Sequence, residues 1–193
     1  MTKFKKIWHF IWEEESLLSW IVNIILAFII IKFLLYPGLG LMLGTSYPIV
    51  AVVSSSMEHD VGFDEWWQDN ENFYSKFNIT KTEFSEFKFK NGFNKGDIMV
   101  LRGVSPEELK EGDTIVYQSS RPDPIIHRII NVYQENNIIY FQIKGDHNVE
   151  QIISKDLDET RIPEDTIIGR AVFRIPFLGY IKIMFVNLVG WIV

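Results

Sequence analysis

The chain contains no cysteine. That excludes a disulfide framework, a cysteine nucleophile and thiolate metal ligands. It is compatible with a domain outside the cytoplasm but does not place one there. Positive charge is in deficit too: 19 Lys and Arg stand against 25 Asp and Glu, a net charge of −6. No basic patch with interleaved aromatics occurs, so nucleic acid is not an expected partner. Histidine is rare, with four copies. At 193 residues the chain has room for one membrane span and one domain of ordinary size.

What is present in excess is apolar and aromatic sequence, much of it at the two ends. Leu17 to Tyr36 reads LLSWIVNIILAFIIIKFLLY, interrupted only by Ser19, Asn23 and Lys32. A helix of that length covers about 30 Å, the thickness of a hydrocarbon core. So long an unbroken run near a terminus is unusual for the core helix of a soluble domain. Tyr36-Pro37-Gly38 offers no small-residue cleavage site, so the run reads as an uncleaved anchor. Lys3, Lys5 and Lys6 precede it. By the positive-inside rule residues 1–16 are then cytoplasmic and the main domain, 45–176, is extracytoplasmic. At the other end, 177–193 is apolar with Lys182 and Asn187 inside it. It reads as a second span cut at its end, or as a segment packed on the bilayer surface.

Between these ends the sequence reads mainly as β. Ile49 to Val53 is a β-branched run, followed by Ser54-Ser55-Ser56-Met57. From Glu58 to Lys95 aromatics such as Trp66, Trp67, Phe73, Tyr74 and Phe84 are mixed with acids and lysines. Asp64-Glu65 supplies an acidic first helical turn, and Thr80-Lys81-Thr82-Glu83 has the capping-box pattern. The insertion is either an aromatic mini-core or a cap facing membrane or substrate. Asn78-Ile79-Thr80 is a glycosylation sequon, meaningful only outside the cell. Gly96-Asp97-Ile98 and Gly112-Asp113-Thr114 are near-repeats, each a turn feeding a strand, and carry no assigned chemistry.

Ile125 to Tyr133 and Ile138 to Lys144 read as a hairpin. If Asn136-Asn137 is a two-residue loop, Glu135 pairs with Ile138. Counting back in that register puts His127 opposite Asp146. One face then carries Ile126, Ile130, Val132, Ile139, Phe141 and Ile143, and the other His127, Gln142, Lys144 and Asp146. A base and its orienting carboxylate need such a juxtaposition. A serine hydroxyl is a poor nucleophile without a base, and His127 is of the right type to serve Ser56. A one-residue slip in register would separate His127 from Asp146.

The order of features adds to this. A segment of Ser-x-Ser-Met ends an apolar run, then come His127-Arg128, Gly145-Asp146-His147-Asn148, and Ile168-Gly169-Arg170 with Ile175-Pro176-Phe177-Leu178-Gly179. The sequence resembles a type I signal peptidase over most of 49–179, with 58–95 outside the match. His127 stands where bacterial members carry a lysine base, so the resemblance is to the archaeal and endoplasmic-reticulum branch. It implies Ser56 as nucleophile, His127 as general base, Asp146 as supporting carboxylate and Ser54 as oxyanion donor beside the Ser56 N–H. It implies a membrane-anchored β-domain with a small, partly helical insertion at 58–95. It also implies serine-endopeptidase action on signal peptides of preproteins after small residues at the outer membrane face, and neither metal nor cofactor. The lipid bilayer, and a secretion translocon, are the partners it suggests. Two positions depart from the family pattern. His59 stands where proline is common. Ile152 stands where many members have a second acidic residue, for which Glu150 or Asp156 could substitute.

Two other readings compete. His59, His127, His147 and Asp146 could ligate zinc, although no two of these histidines have a recognised short spacing. The domain could also be a non-enzymatic accessory subunit, in which Ser54–Ser56 is a plain strand end and His127 a satisfied histidine.

Overall fold

A computed structural model describes residues 2–180 and 184. Contacts divide the chain into two compact units, Met1–Met42 and Leu43–Val193. In the first, α1 (Lys3–Trp12) is followed by α2 (Leu17–Ile30), which continues through a π-helical stretch, Ile31–Leu35, into α3 (Tyr36–Leu43). The composite helix Leu17–Leu43, 27 residues long, is apolar enough to cross a membrane by length and composition. It outruns the expected end at Tyr36. Pro37 lacks an N–H and its ring crowds the preceding turn; the ladder widens just before it and helix resumes instead of stopping. Ser19 and Asn23, the polar breaks in the run, donate to the carbonyls of Phe10 (2.6 Å) and Ile11 (2.9 Å). They thus satisfy acceptors that the last turn of α1 leaves open. The apolar segment expected at 177–193 lies, beyond Tyr180, almost wholly outside the described residues.

The second unit is built on an antiparallel sheet of seven strands. These are β1 (Ile49–Ala51), β2 (Ile98–Arg102), β3 (Thr114–Tyr117), β4 (Ile125–Glu135), β5 (Ile138–Lys144), β6 (Ile162–Pro163) and β7 (Ile167–Ile175), in the order β1-β2-β7-β3-β4-β5-β6. The expected mainly β fold with a partly helical insertion is what is observed. β3 is buried on both faces. Ile115 and Tyr117 join Ile129, Phe141 and Ile143 on one side, while Val116 joins Val52, Met57 and Leu101 on the other. The near-repeat turns, with Gly96 and Gly112 at φ +89° and +88°, end in the carboxylates of Asp97 and Asp113. Arg174 and Arg170 of β7 pair with these at 2.9 and 3.2 Å.

The insertion contributes α4 (Phe63–Tyr74) and α5 (Lys81–Glu86), and Thr80 caps α5 by accepting from Glu83 N–H as its sequence pattern predicts. Trp66, Trp67, Phe73, Tyr74 and Phe84 are buried together with Ile130 of β4. The insertion is therefore a third core, an aromatic one packed on the sheet.

Candidate active site

The β4–β5 hairpin begins as its sequence predicts. Asn136 and Asn137 take positive φ, 50° and 64°, and Glu135 pairs with Ile138. The register then shifts by one between Ile129 and Asn131, and beyond it Arg128 pairs with Lys144. This bulge corrects the expected juxtaposition. It turns Ile130 toward the aromatic core, brings Ile129 onto the face of Phe141 and Ile143, and puts His127 level with Gly145 instead of Asp146.

Asp146 does not meet His127; it is held on the Arg128 side. Arg128 donates to it from Nε (2.9 Å) and Nη2 (2.6 Å), Tyr74 OH donates at 3.3 Å, and His59 Nε2 lies 3.2 Å away. Its backbone carbonyl accepts from Trp66 Nε1 at 3.3 Å. Burial alone would raise the Asp146 carboxyl, but Arg128 and His59 outweigh it and hold the group well below the usual carboxylate range. Asp146 is thus the post on which the aromatic insertion is fastened to the sheet.

The carboxylate that meets His127 is Glu159. His127, 2% exposed, presents Nδ1 to Glu159 Oε1, and Glu159 is itself fully buried. The other carboxylate oxygen accepts the Ile152 N–H at 2.6 Å. Glu150 and Asp156, the expected substitutes, are elsewhere. Glu150 is exposed in an ion pair with Lys76, and Asp156 is exposed. Burial, reinforced by the nearby Glu159 charge, pushes the Tyr117 hydroxyl up.

The serines lie in a turn after β1, which is shorter than the expected 49–53 run. Met57, 1% exposed, anchors that turn: its carbonyl accepts from Phe93 N–H (2.9 Å) and its Sδ from Asp146 N–H (3.4 Å). Ser55 turns its carbonyl to Glu58 N–H at 3.0 Å. Ser54 Oγ and Ser56 Oγ are 3.1 Å apart. Both serines, His127, Asn148 and Ile152 line one cleft of about 360 Å³, walled on another side by 121–126. The Ser56 carbonyl accepts from His147 N–H at 2.9 Å. A Cβ at Gly145 would fall 2.7 Å from that carbonyl and 2.9 Å from His127 Nε2. The Ser56 carbonyl, Gly145 and His127 Nε2 therefore converge.

No family model matches the chain. It does align with curated proteins. The signal peptidase complex catalytic subunit SEC11C of Homo sapiens is 24% identical over 156 residues, 78% of this chain. The catalytic subunit SEC11 of Pyricularia oryzae is 28% identical over 158 residues, covering 79% of this chain and 72% of that protein. That of Colletotrichum graminicola is 27% identical over the same length. The chain is thus similar in sequence, at low identity, to signal peptidase catalytic subunits. It spans 64% of the length of the mammalian relatives it matches.

The zinc alternative finds no converging ligand set among the described residues. His127 faces Glu159, His59 faces Asp146, and His147 faces Asp60 at 3.5 Å on the surface. Glu159 escaped sequence reasoning because it sits in the acidic stretch 156–165, which reads as solvated loop. One signal was available. Leu157 is apolar inside the acidic stretch, and in extended chain Glu159 two positions on shares its face; in the structure both are buried while Asp156 and Asp158 are exposed.

Proposed function

We propose that this protein is a membrane-bound serine endopeptidase that removes signal peptides from preproteins, with Ser56 as nucleophile and His127 as general base. One observation carries the reading. The hydroxyls of Ser54 and Ser56 share a cleft with a histidine whose far nitrogen is committed to a buried carboxylate. The relatives' role as catalytic subunits of signal peptidase complexes supports it.

The reaction proceeds by acyl transfer. Ser56 Oγ attacks the scissile carbonyl carbon as its proton passes to His127 Nε2. A C–O bond forms, and the carbonyl electron pair moves onto oxygen. That oxyanion is received by the Ser56 N–H and the Ser54 hydroxyl. Collapse breaks the C–N bond, and Nε2 returns the proton to the departing amine. Water then repeats the sequence against the ester and frees Ser56. Cleavage after small residues and an extended substrate strand are part of the proposal. So is anchoring by the apolar helix, which would confine enzyme and substrate to one membrane and raise their effective concentration.

The test is cleavage of a preprotein by purified full-length protein in detergent, beside Ser56→Ala and His127→Ala. Wild type should cleave and both variants should not. Retained cleavage by Ser56→Ala would refute the mechanism, as would loss of cleavage on adding a chelator.

A further inference from the structure

We infer that Glu159 is the positioning residue of His127, and that it delivers its carboxylate from across a small hairpin to the backbone of position 152. The inference rests on the serine–histidine reading above and deepens it.

Residues 152–159 fold back on themselves. Ile153 and Asp158 form a bridge, Ser154 N–H donates to the Leu157 carbonyl at 2.8 Å, and Glu159 N–H donates to the Ile152 carbonyl at 2.9 Å. Ile152 and Glu159 are therefore cross-strand neighbours. The Glu159 side chain closes the same hairpin a second time, through Oε2 to the Ile152 N–H at 2.6 Å. Its backbone is fixed independently: its carbonyl accepts from Ile143 N–H and Gln151 Nε2, both at 2.9 Å. With one oxygen so committed, Oε1 is aimed at His127 Nδ1.

A carboxylate there dictates the proton's place on the ring. It accepts only, so Nδ1 carries the hydrogen and Nε2 presents its lone pair toward the cleft. The imidazolium formed during attack gains a buried counter-charge at no cost of rearrangement. Asp146 is not free for this work, because Arg128 and His59 occupy it. Ile152 lines the catalytic cleft and carries no charge, so position 152 cannot supply the carboxylate itself. A glutamate seven residues on supplies it through the hairpin.

The test uses full-length protein in detergent and a fixed preprotein, with kcat, KM and the pH profile of kcat/KM as readouts. Ser56→Ala sets the background. Glu159→Gln should lower kcat about 10³-fold with KM changed less than threefold, because the amide can hold the wrong tautomer. It should also displace the acid limb of the pH profile. The decisive variant is Ile152→Asp with Glu159→Ala, which returns a carboxylate to the same hairpin from the other strand. It should recover at least tenfold of the activity lost in Glu159→Ala. Wild-type kcat and an unmoved acid limb in Glu159→Gln, with Ser56→Ala inactive, would overturn the inference and leave the serine–histidine reading standing. If Glu159→Ala fails to fold, a double variant that regains the fold and activity supports the inference, and one that regains only the fold overturns it. Cleavage by Ser56→Ala would remove both.

Discussion

Arg128 holds Asp146 through two parallel hydrogen bonds, Nε to Oδ1 at 2.9 Å and Nη2 to Oδ2 at 2.6 Å, and both side chains are fully buried. The same guanidinium donates to the carbonyls of Lys88, Phe89 and Gly112, and lies over the Phe84 ring at 4.8 Å. Strand, insertion and loop thus meet at one ion pair.

Asp146→Asn should therefore act first on stability. It leaves a buried guanidinium without its counter-charge, which costs about 3–5 kcal/mol. The wild-type pair also makes the fold acid-sensitive. The folded carboxyl is held below its unfolded value near 3.9, so its contribution is complete above that value and is lost as pH falls below it. Thermal unfolding between pH 3 and pH 7 checks both points. A variant with wild-type stability at pH 7 would show that the pair is not needed to fasten the insertion.

Lys144 gives a slope of the same sign at the other end of the pH scale, but from a charge that burial disfavours. Its ammonium is buried, donates to the carbonyls of Gly145 (3.1 Å) and Asp146 (3.4 Å), and lies over the rings of Phe73 and Tyr74. Burial, partly offset by Asp146 and Glu159, lowers its pKa to about 8. The unfolded chain then binds more protons than the folded one between that value and the ordinary lysine value, about 10.4, so stability should rise with pH across this window. Lys144→Met should flatten that rise. Denaturant midpoints at pH 7, 8, 9 and 10 for both proteins give the comparison, and equal slopes would reject it.

Much of this architecture could be read locally. Asn136-Asn137 set the turn and the start of the register, Thr80 set a cap, and the apolar run at 17–36 set a helix. What failed was the arithmetic carried past Ile129-Ile130. Either isoleucine can fill an apolar face, so nothing in that pair announces a bulge, and one inserted residue moved His127 from Asp146 to Gly145. Three of the four expected site residues, Ser54, Ser56 and His127, share the cleft, whereas Asp146 went to a partner, Arg128, that adjacent sequence does not select. Glu159 was hidden because pairing of a carboxylate with a histidine 32 positions away is a tertiary fact.

Gly145→Ala tests the tightness of the site directly. Its Cβ would meet the Ser56 carbonyl at 2.7 Å, Asn148 Nδ2 at 2.8 Å and His127 Nε2 at 2.9 Å, and the first of these is backbone that cannot swing away. The turn bearing Ser56 must shift by several tenths of an ångström. Cleavage should fall at least 10²-fold, since small misplacements of reacting groups are that costly, while the rest of the fold persists. Wild-type turnover would mean that the three groups do not need their present spacing.

Ser54→Ala separates the two hydroxyls that stand 3.1 Å apart. Ser54 is exposed and Ser56 half-buried, and Ser54 makes no other hydrogen bond among the described residues. Its removal should leave stability within about 0.5 kcal/mol, as for surface substitutions generally. If its hydroxyl receives the oxyanion, the loss appears only when negative charge develops there. The expected result is a kcat lowered about 10²-fold, corresponding to about 3 kcal/mol, with KM nearly unchanged. Ser54→Thr, which keeps the hydroxyl, should recover most of that loss. Equal kcat values for wild type and Ser54→Ala would leave the Ser56 N–H as the oxyanion donor, without help from Ser54.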